Sequence, residues 1–494
     1  MANLSDQRAF PITDAALRWL DVILAERFGQ AWQLARSAEG LHLRLAGAEG
    51  AILFDALCAG LTQAHSDQPC AHWDAEREGW TSVLGGPLPA PGVADLPSPL
   101  IEPRGAEQVI HYDILGLTYW MLARVEEIGR TDLDNHQRFP ATASHAFKHG
   151  ILDRPVVDEW LHLLGQVIQR QWPGVELKQH SARTLVSCDV DSPFAYNSWP
   201  SQLEPVATDE HGSTRIHKRD DPRPSVSIRG KTMARAAYRL ARGLAGDLLK
   251  RRSPSLAWRN LRGQWRARRG DHSLDPHRQG LEHIMAVNER AGRPAAFYFI
   301  PENTDPKLDN RVSLDDPRLR ALLREIHARG HEIGLHPGYN TYQHPEAMTR
   351  SVQTLRRVLE EEGIDQPQLG GRQHYLRWQT PTTARLWDDN GLDDDSTLSY
   401  ADRPGFRCGT CFEYPLFDAV AQRALHLRER PLILMECSVI AERYLDLGYS
   451  DEALALMQRY RDICHRLKGD FTLLWHNSHL GSEADRRFYG VLAG

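Results

Sequence analysis

From about residue 183 to the C-terminus, short apolar runs alternate with amphipathic stretches of helical period, and this alternation constrains the fold more than any other feature. Repeated strand–helix units pack a parallel sheet against helices, as a doubly wound sheet or a (β/α) barrel. Strands are expected at Thr184–Cys188, Ala295–Ile300, Leu432–Met435 and Thr472–Trp475, and helices near Leu281–Ala291 and Asp316–Arg329. In such folds the chemistry gathers at the carboxyl ends of the strands. Those ends are therefore where polar residues matter most.

The 494 residues are too many for one ordinary core. Residues 1–180 read as an N-terminal α/β accessory domain and 181–494 as the alternating domain. In the first, Ala15–Phe28 has helical spacing (Leu17, Leu20, Ile23, Leu24), while Leu41–Leu45 and Ala51–Phe54 read as strands. Asp113–Ile128 and Pro155–Ile168 read as amphipathic helices, which puts the adjacent Glu126 and Glu127 on a solvated face. Ser198–Arg229 is polar and Pro-rich, a loop. Arg229–Arg269 is strongly basic, with Asp247 its one acid, and Leu240, Leu244, Leu248, Trp258, Leu261 and Trp265 recur at helical spacing. This is a helical insertion at about 229–270. It either packs its apolar face on the domain or presents a surface to lipid phosphate, nucleotide diphosphate or acidic polysaccharide.

Hydrophobic residues at 41% and charged residues at 25% fit a globular enzyme rather than a disordered chain. The net charge of -6 provides no global attraction for nucleic acid, and the basic stretch contains no recognisable reading module. No apolar run is long enough to span a bilayer, since Ile114–Val125 is short and holds Arg124. The start, Met1 to Arg8, lacks the basic and apolar regions of a secretory signal. Seven scattered cysteines suit a reducing compartment, so a cytoplasmic location is expected.

Asp189 and Asp191 sit two apart at a strand end, so both side chains address one site. A hydrolytic metal centre needs that division: one carboxylate binds the ion and the other acts as general base. His336, at the end of another strand, offers an imidazole suited to zinc, with Asn340 and His344 beyond it. His331 opens the same segment and reads as structural. Polar clusters follow at Gly371-Arg372-Gln373-His374-Tyr375-Leu376-Arg377, at Asp393-Asp394-Asp395-Ser396-Thr397, and at Trp475-His476-Asn477-Ser478-His479. Cys408-Gly409-Thr410-Cys411 has no second pair to complete a zinc site and reads as two buried thiols.

Taken in order, these elements resemble the polysaccharide deacetylase (NodB-homology) family, the family four carbohydrate esterases, over residues 183 to 485. The Asp-x-Asp pair, Ala296-Phe-Tyr-Phe-Ile-Pro301, Gly330-His-Glu-Ile-Gly-Leu-His-Pro337 and Arg372-Gln-His-Tyr-Leu-Arg377 resemble a subgroup associated with surface-polysaccharide (O-antigen or capsule) biosynthesis. Tyr112-Asp-Ile-Leu115 and Leu122-Ala-Arg-Val-Glu-Glu127 are similar to that subgroup's extra domain.

The resemblance implies a deformed (β/α) barrel holding one divalent ion, zinc by expectation. It implies removal of an N-acetyl or other N-acyl group from an amino sugar. Asp189 takes the place of the base, Asp191 and His336 of metal ligands, Arg372 of the arginine that orients the base, and His476 of the general acid. The Tyr375 N–H would bind the oxyanion, and Asp395 would help hold base and acid in their working protonation states. The family's second histidine falls at Asn340, so the third ligand is Asn340, His374 or, with a reshaped loop, His344. In the cytoplasm the substrate would be a nucleotide-linked or lipid-linked N-acetylated sugar, with peripheral membrane contact through the basic insertion. The alternative is a weakly active or inactive sugar-binding scaffold of a polysaccharide assembly complex. The oligomeric state stays open.

Overall fold

The computed structural model describes residues 9–196 and 254–494. By proximity along the backbone, Met1–Asp191 and Ile284–Gly494 make one compact unit and Ser192–His283 another.

In the first unit, the helix Asp14–Phe28 is capped by Thr13, and Gly29 ends it with a φ of 81°. That left-handed value suits glycine. The strands β1 (Trp32–Arg36), β2 (Leu41–Leu45) and β3 (Ile52–Phe54) follow, then β4 (Cys70–Trp73), β5 (Leu88–Pro91), β6 (Ile101–Arg104) and β7 (Glu107–Ile110). They form a five-stranded sheet ordered β1-β2-β3-β7-β6 and a separate β4-β5 pair. The expected helix, strand and strand over residues 15–54 all appear. The helix Val156–Gln171 takes the place of the expected Pro155–Ile168.

The expected amphipathic helix Asp113–Ile128 is different. The helix runs only over Ile114–Leu122, and all nine of its residues are buried. Arg124, at φ 50°, breaks it before a short 3-10 turn, Val125–Glu127. Glu126 and Glu127 are buried, not solvated. Glu127 accepts from Arg124 Nη2 at 2.8 Å and from Arg407 Nη2 at 2.7 Å. Glu126 accepts from the His145 N–H at 2.6 Å. Helical spacing assigned these carboxylates to water, but the helix ends before them and their partner Arg407 comes from far along the chain.

Next come β8 (Arg183–Val190), β9 (Ala295–Phe299), β10 (Glu332–Leu335), β11 (Asp394–Asp395), β12 (Tyr414–Asp418), β13 (Arg423–Glu429), β14 (Leu434–Met435) and β15 (Asp470–Leu474). The central sheet is parallel, ordered β10-β9-β8-β15-β14. Both faces of β8 are buried: Val186, Cys188 and Val190 on one side, Ser187 and Asp189 on the other. A doubly covered strand of this kind reads as a continuous apolar run. Beyond β10, single bridges Leu335–Gly371 and Gly371–Asp395 lead to β11, β13 and β12. Gly371 is required there, because a Cβ would lie 1.9 Å from the Leu335 carbonyl oxygen. The barrel expected from the sequence is a mixed α/β arrangement in which, among the described residues, no ladder joins the β14 and β12 ends.

The helices Pro276–Arg290 and Pro317–Ala328 occupy the expected places. The expected loop Ser198–Arg229 and the first insertion helix, with Leu240, Leu244 and Leu248, lie outside the described residues. The later part of the insertion is the helix Pro254–Ala267. Its Trp258 and Trp265 are 68% and 51% exposed.

Candidate metal and proton-transfer site

The parallel sheet aligns its strands so that the polar residues following them share one end. Val190 of β8 pairs with Phe299 of β9, Leu335 of β10 pairs with the same Phe299, and Leu474 of β15 pairs with Ser187 and Met435. Asp189 and Asp191 close β8, His336 follows β10, Glu436 follows β14 and His476 lies two residues beyond β15. Five side chains from four strands thus meet at the carboxyl edge, where this architecture places its chemistry.

Asp191, His336 and His374 each bring one ligand atom into a group whose members lie within 4.8 Å of one another. Asp191 Oδ1 is 3.3 Å from His336 Nε2 and 3.5 Å from His374 Nε2. It is buried with no hydrogen-bond partner. Both histidines are held from behind. His336 Nδ1–H donates to the Arg372 carbonyl at 2.6 Å, and His374 Nδ1–H donates to Asp309 Oδ1 at 2.8 Å. Each bond leaves Nε2 as the lone-pair nitrogen facing Asp191. Outer hydrogen bonds of this kind fix the tautomer and ring angle of metal-ligating histidines. Two imidazoles and a carboxylate form a donor set that suits zinc or a similar ion. These residues fit a divalent cation.

The Asn340 amide faces elsewhere. Its Nδ2–H donates to the Thr304 carbonyl at 3.0 Å, and its Oδ1 accepts from Arg377 Nη1 at 3.4 Å. His344 is exposed at the start of the helix Pro345–Glu361. His331 accepts the Ala295 N–H at Nδ1, at the foot of β9.

Asp189 is buried beside this trio, with Oδ2 3.8 Å from His336 Nε2. Arg372 fixes it. Its Nη1 donates to Asp189 Oδ1 at 2.7 Å, its Nη2 to Ser187 Oγ at 2.9 Å and to Ser396 Oγ at 3.0 Å, and its Nε to the Ser396 carbonyl at 2.7 Å. All three guanidinium nitrogens are engaged, a rigidity lysine does not offer. Asp395 lies behind this layer and accepts from Thr397 N–H at 2.8 Å. Burial pushes the Asp395 carboxyl up to about 6 against its hydrogen bonds to Thr397 and Glu429, and burial together with Asp395 holds Glu429 well above the carboxylate range. Tyr375 has φ 62° and ψ 14°. A left-handed non-glycine residue costs of order 1–3 kcal/mol and tends to sit at functional sites.

His476 faces the centre from the other side, with Nε2 3.7 Å from Asp191 Oδ2. Its Nδ1–H donates to Glu436 Oε1 at 2.6 Å. Burial works against charge on His476, but Glu436 outweighs it and holds the imidazolium form well above the ordinary histidine range. Burial likewise opposes ionisation of Asp191, yet His336, His374 and His476 together bring its carboxyl below the usual range. His336 and His476 thus hold protons more tightly than an ordinary histidine because carboxylates surround them, and a divalent cation meets the same field.

Sequence reasoning missed Asp309, Glu436 and an N-terminal contribution. Asp309 lies in the loop after β9, and Glu436 follows Leu432-Ile-Leu-Met435 as Asp189 follows its own apolar run. A uniform search for a carboxylate directly after each apolar run would have found Glu436, whereas Asp309 lies well beyond the end of β9, after Glu302 and Asp305. His136 and Arg138 carry no such signal. Arg138 Nη1 donates to the Tyr375 carbonyl at 2.8 Å, and the His136 carbonyl accepts from Arg377 Nε at 2.8 Å. Cys408 and Cys411 are buried free thiols.

Residues 66–173 match a family of unknown function, DUF7033. No curated protein matches the chain. Among solved structures, one designated a polysaccharide deacetylase from Mycobacterium smegmatis is 14% identical, with a TM-score of 0.34 over 64% of this chain and 85% of its own. Puue allantoinase is 16% identical, with a TM-score of 0.30 over 43% of this chain and 64% of its own. One designated a polysaccharide deacetylase from Pseudomonas aeruginosa PAO1 is 16% identical, with a TM-score of 0.29 over 43% and 65%. This chain spans less than two thirds of the length of the latter two.

Proposed function

We propose that this chain is a metal-dependent hydrolase that removes an N-acyl group, acetyl in the simplest case, from an amino sugar. The observation that carries the reading is the convergence of Asp191, His336 and His374 with both imidazoles oriented by outer hydrogen bonds. Those three residues would hold the divalent ion, zinc by donor chemistry. When bound, the ion supplies Lewis acidity for the acyl carbonyl and for water.

The remaining work belongs to the protein. Asp189, immobilised by Arg372, takes the proton from the attacking water. The Tyr375 N–H stabilises the oxyanion of the tetrahedral intermediate. His476, kept protonated by Glu436, donates from Nε2 to the departing nitrogen and releases carboxylate and free amine. Asp395 lies behind Ser396, which accepts from Arg372, and supports that alignment. The contacts of Arg138 and His136 suggest that residues 1–180 help to shape the substrate side of the site.

As substrate we propose a nucleotide-linked or lipid-linked N-acetylated sugar of surface-polysaccharide synthesis, acted on in the cytoplasm. Trp258, Leu261 and Trp265 lie exposed on a basic helix, a pattern that suits peripheral contact with lipid phosphate. No helix among the described residues is long and apolar enough to cross a membrane.

The test is metal content by elemental analysis together with acetate release from N-acetylated sugar nucleotides. Wild type should carry about one equivalent that both Asp191→Ala and His336→Ala lose. Asp189→Asn should keep the metal and lose turnover. Wild type that takes up no zinc, cobalt or nickel would refute the metal-dependent reading and return the chain to the scaffold alternative.

A further inference from the structure

A second group of ligating atoms lies beside the first. Glu436, Cys437, His476 and His479 bring a carboxylate oxygen, a thiol and two imidazole nitrogens within 4.8 Å of one another. We propose that these four residues form a second divalent-metal site, of inhibitory character, that takes a zinc-like ion at higher concentration than the first. The inhibitory consequence rests on His476 being the proton donor; the site itself does not.

The distances support a metal. Zinc bonds of about 2.3 Å to sulfur and 2.0–2.1 Å to nitrogen or oxygen give tetrahedral edges of about 3.5 Å from sulfur and 3.3 Å between nitrogen and oxygen. Cys437 Sγ lies 3.4 Å from His479 Nδ1 and 3.6 Å from Glu436 Oε1. Glu436 Oε1 lies 2.6 Å from His476 Nδ1 and 2.9 Å from His479 Nδ1. The sulfur edges already match, and the oxygen edges open by about 0.4–0.7 Å once the N–H protons between them leave.

A second observation points the same way. Glu436 is buried, and its Oε2 has no hydrogen-bond partner. A buried carboxylate oxygen without a donor is costly, and bidentate or alternate ligation would satisfy it. The donor set is also selective. A thiolate with two imidazoles favours zinc, cobalt or cadmium over magnesium or calcium. His479, with a 46% exposed side chain, leaves the group open to solvent on one side.

Binding replaces three protons: the thiol proton of Cys437 and the Nδ1 protons of His476 and His479. His476 then coordinates through Nδ1 and keeps one proton on Nε2. It can no longer become an imidazolium braced by Glu436, so proton delivery to the leaving nitrogen fails. Because protons compete with the ion, occupancy rises with pH.

Cobalt titration of the metal-free full chain tests this. Two equivalents should bind, and the second should bring the near-ultraviolet charge-transfer absorption of a cobalt-bound thiolate. Cys437→Ser should take one equivalent with no such band, and Asp191→Ala one equivalent with it. His479→Ala, at an exposed position where folding is tolerant, should weaken the second step. Absence of thiolate absorption at saturating cobalt, or its survival in Cys437→Ser, would overturn the proposal. A band at Cys437 with undiminished turnover leaves the second site standing and refutes the role of His476 as proton donor.

Discussion

Asp309→Asn separates the candidate third ligands of the primary site, because Asp309 touches His374 directly. Its Oδ1 accepts from His374 Nδ1–H and from Tyr339 N–H, both at 2.8 Å. Its Oδ2 accepts from Thr304 N–H at 2.6 Å, Thr304 Oγ at 2.8 Å and Asp305 N–H at 2.8 Å. Five donors converge on one carboxylate. Burial opposes ionisation, but these bonds outweigh it and hold the group at about 2, against an ordinary value of 3.8. That difference corresponds to about 2 kcal/mol favouring the charged form. Asparagine keeps the shape but turns an NH2 toward donors and removes the charge behind His374. Loss of such an outer carboxylate weakens metal binding ~10–100-fold, about 1.4–2.7 kcal/mol. Competition for zinc against a chromophoric chelator measures this, with circular dichroism to verify folding. His374→Ala should lose more affinity than Asp309→Asn, and Asn340→Ala should lose little. If Asn340→Ala loses the metal while Asp309→Asn and His374→Ala bind as wild type, His374 is not a ligand and the reasoning fails.

Two further outcomes are expected. Glu127→Gln should destabilise the fold by ~3–5 kcal/mol in urea denaturation, because Arg124 and Arg407 stay buried without their counter-charge. Burial would raise the Glu127 pKa, but Arg407 and Arg124 override it and hold it at about 2, below its ordinary 4.5. The depressed folded value makes its stabilisation full above pH 4.5 and lost as pH falls toward 2, so the gap between wild type and variant should narrow over that window; a gap independent of pH would contradict it. At the site, Glu436→Gln should lower the His476 pKa and move the alkaline limb of the pH–rate profile to lower pH. An unmoved limb would show that another group donates the proton.

Much of the site was legible because its elements obey one local rule. Asp189, Asp191, His336 and His476 each follow an apolar run, and a parallel sheet sends such residues to its carboxyl edge whatever the rest of the chain does. Glu436 obeys the same rule but was passed over although its strand, Leu432–Met435, was expected, because a lone glutamate there has no second carboxylate or histidine beside it to mark chemistry. What separates Asn340, His374 and His344 is side-chain direction, which spacing does not encode, and the variants above test the choice. Asn340 turns to Thr304 and Arg377, whereas Asp309 points His374 inward.

The sequence by itself determined the α/β alternation, most strand and helix positions, and the polar residues that cap the strands, because these depend on periodicity and on residues a few places apart. Only the tertiary structure decided that Glu126 and Glu127 are buried, that Asp309 braces His374, that Glu436 serves both His476 and His479, and that Arg138 reaches Tyr375. Each of those facts is a pairing between charges or polar groups distant in sequence. A buried charge is tolerated only where folding delivers its partner, and no local pattern records which partner that will be.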